Sequence, residues 1–402
     1  MKSFDLHIHT RLIFGNDKAD AFADAVAHVG KSIFIITGGG SVVRLGYFDQ
    51  VKALLTSRGI TVHHFSGIEP NPHAQTIDKA AALVNKSGAD AVLALGGGSV
   101  MDATKAIAAL VHDNEPHIWP FVLGEPRRGQ LKGAIPIICI PTTAATASEV
   151  TMGSVISNPE TKGKSVIGYP FLRPIISWMN PEFTTKVPAV TTADGASDIL
   201  SHVFENYILG GNDSPLTDYY CEGVIRTVIE TLPAVLNDLE NVDLRARLLW
   251  ASDLALNGYQ MAGRNPAPYV LHALEHSMSG YSPDLAHGRG LATLYPAYFR
   301  WLWEKGYHRE RFARLGRNVF NLSGDERATG MGFISQFEKW LKQNGLYQST
   351  TSLGIPRDAF FSIAEYATRL YGRNSVIPAA GGISVTEAVE ILEMTENQKT
   401  QD

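Results

Sequence analysis

The chain has 402 residues, 45% apolar and 19% charged, enough for two domains with substantial cores. Its 35 basic and 40 acidic side chains leave a net charge of −5, which argues against a nucleic-acid or membrane-surface binder, whose footprint would be basic. The two cysteines, Cys139 and Cys221, fall in no paired pattern, so a disulfide framework and a cysteine zinc site are excluded.

The first residues, Met1 to Arg11, lack the apolar stretch of a signal peptide, and no run reaches the roughly 18–20 apolar residues of a membrane span. A cytoplasmic protein is the expectation. From there strand-like and helix-like segments alternate. Ser32–Thr37 is a β-branched apolar run that opens into Gly38-Gly39-Gly40-Ser41. Val42–Arg58 has helical spacing through Val51, Leu54 and Leu55, and Gly59 closes it. Thr61–Phe65 reads as a strand and Ala74–Lys86 as a helix. Ala91–Leu95 is a buried strand followed by Gly96-Gly97-Gly98-Ser99, then a helix over Met101–Val111. Ile135–Ile140 is a further strand. Buried strands alternating with helices predict parallel βαβ units.

Beyond Pro181–Pro188 the period changes to helical. Asp213-Ser214-Pro215 is a helix start, with proline in the first helical position. Phe333, Ile334, Phe337, Trp340 and Leu341 form one helical stripe that Asn344-Gly345 ends. Ser384 and Glu387 have capping-box spacing. Glu396–Asp402 is polar and expected to fray. The fold class is therefore an α/β domain with a Rossmann-like parallel sheet, residues 1–187, followed by an all-α domain, residues 188–402.

Two strand–GGGS–helix turns aim backbone N–H groups and a helix's positive end at whatever lies in front, and phosphate is the natural guest. Neither matches G-x-G-x-x-G, and no Gly-Lys-Ser/Thr follows, so neither is the dinucleotide fingerprint or a P-loop. Two copies in consecutive units point to a dinucleotide with one turn near each end. The Gly38–Ser41 turn has no carboxylate for a ribose 2′-hydroxyl, while Ser41 and Arg44 can receive a 2′-phosphate, so NADP(H) is expected over NAD(H). The third loop, Pro141–Glu149, is rich in small residues and threonines that let a ring or pyrophosphate pack close.

In the helical half, Asp198 and His202 stand one turn apart, as do His272 and His276, and His287 follows eleven residues on. Each pair alone is an ordinary ion pair or a packed histidine. Together they suit one divalent transition metal, Fe2+ or Zn2+ by ligand type. The other histidines, His7, His9, His28, His63, His64, His73, His112, His117 and His308, read as surface or edge residues.

In this order and spacing, TGGGS (Thr37–Ser41), GIEPNP (Gly67–Pro72), GGGSVMDATK (Gly96–Lys105), PTTAATASE (Pro141–Glu149), D-x-x-x-H (Asp198–His202) and H-x-x-x-H…H (His272–His287) resemble the iron-containing (group III) alcohol dehydrogenases, of the dehydroquinate synthase-like fold. The chain is similar to the butanol dehydrogenase and aldehyde reductase branch, and the resemblance spans most of it. It implies metal ligation by Asp198, His202, His272 and His287, with His276 beside the nicotinamide and substrate, either supporting the metal site from outside its ligands or relaying a proton. It implies a pyrophosphate on Gly97, Gly98 and Ser99, with Asp102 one turn on. Gly39, Gly40 and Ser41 would meet the adenosine ribose. Asn71, Thr142, Thr143, Thr146 and Lys164 would border the cofactor. Ala145 and Ala147 stand where the family loop, PTTAGTGSE, has glycines.

The implied activity is reversible hydride transfer between NAD(P)(H) and a primary alcohol/aldehyde pair, in a cleft between the domains of a homodimer, with a small-molecule substrate and no nucleic-acid or membrane partner. A polyol (glycerol-type) dehydrogenase is the alternative within that chemistry. A dehydroquinate synthase-like lyase is the rival of the same fold, disfavoured because its metal carboxylate is a glutamate where this chain has Asp198.

Overall fold

The computed structural model describes residues 1–211 and 213–398. In chain order the first half runs β1 (Arg11–Phe14), α1 (Ala19–Ala27), β2 (Ser32–Gly38), α2 (Ser41–Arg44), α3 (Tyr47–Thr56), β3 (Thr61–Ile68), α4 (Ala74–Ser87), β4 (Ala91–Gly96), α5 (Gly98–Asp113), β5 (Ile137–Pro141), β6 (Gly153–Asn158), β7 (Gly163–Gly168) and β8 (Ile176–Met179). Six strands pair in parallel in the order β1-β8-β5-β4-β2-β3, and β6 and β7 form a separate antiparallel hairpin.

The central strands are apolar on both sides because both sides are covered. Phe34, Ile36, Val92, Ala94, Ile137 and Cys139 face the layer of α4 and α5. The residues between them, Ile33, Ile35, Leu93, Leu95, Ile138 and Ile140, face α1 and α3. Each fully buried aliphatic side chain contributes about 1.5–3 kcal/mol before chain entropy is subtracted. The chain leaves β2 toward β3 on one side and β4 toward β5 on the other, so the strand order reverses between β2 and β4. Loops part at such a reversal and open a crevice at the carboxyl ends of the strands. All three motif loops, after β2, β4 and β5, leave from that edge, with Thr37 level with Leu95 and Gly96 level with Pro141.

The single helix expected over Val42–Arg58 is two. Gly46 takes a left-handed φ of 76° and separates α2 from α3. β1, β8 and the β6–β7 hairpin are strands beyond those the sequence pattern predicts.

The second half is helical: α6 (Ala189–Leu209), α7 (Pro215–Asn237), α8 (Val242–Leu256), α9 (Val270–Tyr281), α10 (His287–Glu304), α11 (Arg309–Phe320), α12 (Glu326–Gln343), α13 (Phe360–Tyr371) and α14 (Val385–Thr395). Start and stop signals fall where the sequence places them. Ser214 precedes Pro215 at α7, Asn344 caps α12, and the Ser384–Glu387 capping box forms at α14. An aromatic cluster of Phe204, Tyr295, Phe299, Phe333 and Phe337 packs largely edge to face. At the chain's end, Gln398 is buried and its amide donates to Thr293 O, so residues 396–398 are not frayed; 399–402 lie outside the described residues.

Two compact units result. One comprises His7–Val187 with Glu240–Leu249, the other Met1–Leu6, Pro188–Leu239 and Trp250–Asp402. Among the described residues no helix is long and apolar enough to cross a membrane.

Candidate functional site

In the helical unit, α6 is buried all round, with every residue from Thr192 to Ile208 inside. Polar residues on such a helix need partners, because a buried charge or donor without one costs several kcal/mol. Asp198, His202 and Glu205 lie on one face of α6. His272, Glu275 and His276 lie along α9, and His287 is the first residue of α10. Two glycines allow the close approach. A Cβ on Gly288 would collide with the Asp194 carbonyl of α6, and one on Gly290 would stand 2.8 Å from Glu275 Cγ of α9. Arg289 between them pairs with Asp194 at 2.7 Å and holds the start of α10 in place.

Three imidazoles converge on one carboxylate oxygen. His202 Nε2 and His287 Nε2 each lie 3.5 Å from Asp198 Oδ1, and His272 Nε2 lies 3.9 Å from it. Asp198 Oδ1 and His272 Nε2 are buried and have no hydrogen-bond partner among the described residues. The spacings are too long for good hydrogen bonds. They match ligand atoms that share a cation, since atoms about 2.1 Å from a tetrahedral ion stand about 3.4 Å apart. The donor set, three imidazole nitrogens and one carboxylate oxygen, fits a divalent transition metal.

The far sides of two rings are held by carboxylates. His272 Nδ1 donates to Glu205 Oε2, and His287 Nδ1 to Glu275 Oε2. Burial pushes the His202 imidazole down to about 3, which keeps it the neutral ligand form. Burial also pulls His272 down, but the Glu205 hydrogen bond and charge outweigh it and the net shift is upward. His276 points elsewhere than its neighbour four residues back, with Nδ1 2.7 Å from Tyr371 Oη at the end of α13. Glu205, Glu275 and Tyr371 were not among the sequence candidates. A signal existed for two of them: Glu205 follows His202 by three residues and Glu275 follows His272 by three, so each shares its histidine's helix face.

In the sheet unit, Gly97 and Gly98 begin α5, which has no side-chain cap, so its first N–H groups have no partner within the helix. The threonine loop packs onto this turn. A Cβ on Gly97 would stand 2.9 Å from Thr143 Oγ1, and one on Gly98 2.5 Å from Thr146 Cγ2. Thr142 N donates to Gly96 O. Ser99 Oγ accepts from Asn71 N at 3.2 Å, and Lys164 Nζ, on β7, donates to Asn71 Oδ1 at 3.0 Å. Gly97, Gly98, Ser99, Asn71, Thr142, Thr143, Thr146 and Lys164 thus belong to one neighbourhood.

Asp102 is engaged by the fold itself. Its Oδ1 accepts from Ser148 Oγ at 2.6 Å and its Oδ2 from Val155 N at 2.9 Å. The fully buried Lys105 donates to the same Ser148 Oγ at 2.8 Å and to Gly153 O at 2.8 Å. Burial pushes the Asp102 carboxyl up and the Lys105 amine down, each partly offset by the other's charge. Gly39, Gly40 and Ser41 form the turn after β2 on the neighbouring strand. Gly40 has a left-handed φ of 105°, and a Cβ there would stand 3.3 Å from an Arg44 guanidinium nitrogen.

Comparison with known proteins gives one answer throughout. Residues 9–181 match the family "iron-containing alcohol dehydrogenase", and residues 192–380 match "Fe-containing alcohol dehydrogenase family, C-terminal". The chain is 37% identical over 367 residues to the probable NADH-dependent butanol dehydrogenase 2 of Bacillus subtilis, covering 91% of this chain and 90% of that one. It is 35% identical over 358 residues to the NADPH-dependent aldehyde reductase YqhD of Escherichia coli, covering 88% and 90%. The crystal structure of NADH-dependent butanol dehydrogenase A from Thermotoga maritima superposes with a TM-score of 0.91 at 30% identity, over 98% of this chain and 99% of that one.

Proposed function

The chain belongs to the iron-containing alcohol dehydrogenase family, and on that premise we propose how its residues divide the work. The reaction is reversible hydride transfer between NADP(H) and a primary alcohol/aldehyde pair. Residues 1–187 hold the dinucleotide and residues 188–402 hold one divalent ion, Fe2+ or Zn2+, and the substrate's reacting end. The supporting observation is the convergence of three imidazole Nε2 atoms on the buried, unbonded Asp198 Oδ1.

Asp198, His202, His272 and His287 are the ligands. When bound, the cation supplies a Lewis acid toward the substrate oxygen, and the nicotinamide supplies or takes up the hydride. The protein's own part is charge, orientation and proton handling. Asp198 offsets one unit of the ion's charge in a site that excludes water. His276 moves the alcohol proton at Nε2. Tyr371, whose hydroxyl burial keeps protonated, accepts from His276 Nδ1–H through its oxygen, which leaves an Nε2 lone pair to take the alcohol proton in oxidation and return it in reduction.

The start of α5 receives the pyrophosphate through Gly97, Gly98 and Ser99, a role that needs backbone approach rather than side-chain charge. Thr142, Thr143 and Thr146 line the cofactor, with Asn71 and Lys164 beside it. Asp102 acts through Ser148, holding the threonine loop from below. Gly39, Gly40 and Ser41 take the adenosine ribose, and Arg44, folded toward Gly40, favours a 2′-phosphate.

Purified protein is expected to carry iron or zinc and to consume NADPH with butanal. His272→Ala is expected to lose metal and at least about a thousandfold of turnover while NADPH binding persists. Equal turnover by metal-stripped wild type overturns the proposal. A lower KM for NADH than for NADPH overturns the cofactor preference alone.

A further inference from the structure

The ligand set proposed above specifies which atoms meet the cation. It does not say what aims them. An imidazole can rotate and can carry its proton on either nitrogen, and only one of those arrangements turns an Nε2 lone pair toward Asp198 Oδ1.

Glu205 removes that freedom for His272. It is 2% exposed and sits on α6, three residues after His202 and seven after Asp198. Its two oxygens reach two consecutive residues of α9. Oε2 accepts from His272 Nδ1, and Oε1 accepts from Leu271 N at 2.6 Å. Leu271 is the second residue of α9, and Tyr269, at the N-cap, provides no side-chain hydrogen bond there. The Leu271 N–H is therefore one of the donors that a helix start leaves without an internal partner. One carboxylate thus closes the first turn of α9 from the neighbouring helix and fixes the tautomer and tilt of the ligand next along the chain. Glu275 holds His287 in a similar way, through His287 Nδ1.

We infer that Glu205 is a positioning residue for the metal, one that ties the aim of His272 to the start of α9. The inference rests on the reading of Asp198, His202, His272 and His287 as ligands. With Glu205 Oε2 accepting from it, His272 Nδ1 is the donor and Nε2 is left as the ligating atom. The Glu205 charge also makes the ring a better donor to a cation. A glutamine of the same shape cannot do both tasks, because it has one acceptor oxygen and turns an NH2 toward the other N–H.

The test uses zinc-loaded full-length protein, wild type, Glu205→Gln and Glu205→Asp, challenged with a graded series of a chelator. Melting temperatures of apo and zinc-loaded forms and the visible spectrum of the cobalt(II)-substituted protein are read in parallel. Glu205→Gln is expected to hold zinc about 10–100-fold more weakly, to show a smaller zinc-induced rise in Tm and to shift the cobalt spectrum. Glu205→Asp, which keeps the charge but not the reach, is expected to fall between the two. Zinc affinity within about twofold of wild type, with apo and loaded Tm lowered equally, overturns the inference, because that is what a helix cap alone gives. Should Glu205→Gln fail to fold, Glu205→Asp decides by the same criteria. Failure of the wild type itself to hold zinc overturns the underlying ligand reading, and it shows without any variant.

Discussion

The two candidate sites of this chain are built on opposite plans. In the helical unit the proposed chemistry rests on side chains. Asp198, His202, His272 and His287 come from three ordinary helices, and two buried glutamates hold two of the rings. In the sheet unit the proposed binding rests on the backbone. The turn at Gly97–Ser99 offers N–H groups, and the residues around it are small so that a ligand can come near. Substitution should therefore act differently in the two places. A side-chain site fails when a functional group is removed, and a backbone site fails when a methyl is added.

The largest test of this contrast is Gly98→Ala. The new Cβ would stand 2.5 Å from Thr146 Cγ2 and 2.7 Å from Thr146 Oγ1, so the threonine loop must shift away from the turn. NADPH KM is expected to rise at least about tenfold, equivalent to about 1.4 kcal/mol of lost binding, with metal content unchanged. Loss of metal in the same variant would show that the two sites are not separable in this way.

How much of this was legible in the sequence follows from the same contrast. β2, β4 and β5 are readable because strands covered on both faces must be apolar throughout. β1 and β8 are four residues each, too short to show a period, and β6–β7 is half polar between its turns. The glycine turns are legible as turns, but only the packing of Thr143 and Thr146 onto them explains why alanine does not fit there. In the helical unit the four-residue spacing places Asp198 with His202 and His272 with His276. Spacing cannot say that His272 turns to Asp198 while His276 turns to Tyr371, because that depends on where α6 and α13 pack against α9. Resemblance to the family supplied that choice; periodicity did not.

A second test sits within the helical unit, where Asp253 on α8 is a buried carboxyl of the opposite kind from Glu205, whose two oxygens both accept hydrogen bonds. Among the described residues neither oxygen of Asp253 finds a hydrogen bond of good geometry, and burial pushes the carboxyl up to about 7, only partly offset by the Asn257 side chain. An acid whose folded pKa exceeds its unfolded value near 3.8 binds its proton more tightly when folded. Its favourable contribution is thus complete below about pH 4, declines through about pH 7, and becomes a full penalty above that, on the order of 4 kcal/mol at most. Asp253→Asn does not titrate. Wild type should lose melting temperature relative to Asp253→Asn by several degrees between pH 5 and pH 8, measured calorimetrically. Parallel curves would mean that an unseen partner already satisfies Asp253.

The smallest effect is expected at Ala147, where the contrast between glycine and alanine runs the other way. Gly98 has no room for a methyl. Ala147 has one, only 1% exposed, at a left-handed φ of 51° that favours glycine. Three terms of similar size meet in Ala147→Gly. Relief of the left-handed strain is worth about 1–2 kcal/mol. Against it stand about 0.8 kcal/mol for the buried methyl and about 0.5–1 kcal/mol for the greater freedom of glycine in the unfolded chain. They nearly cancel, so the variant should melt within about 2 °C of wild type, as expected for a change below about 1 kcal/mol in a chain of this size. A larger loss would mean that the methyl is part of the cofactor loop's packing, and NADPH KM should then rise with it. A gain of several degrees would mean that the loop carries backbone strain, held in place by the Asp102–Ser148–Lys105 network beneath it.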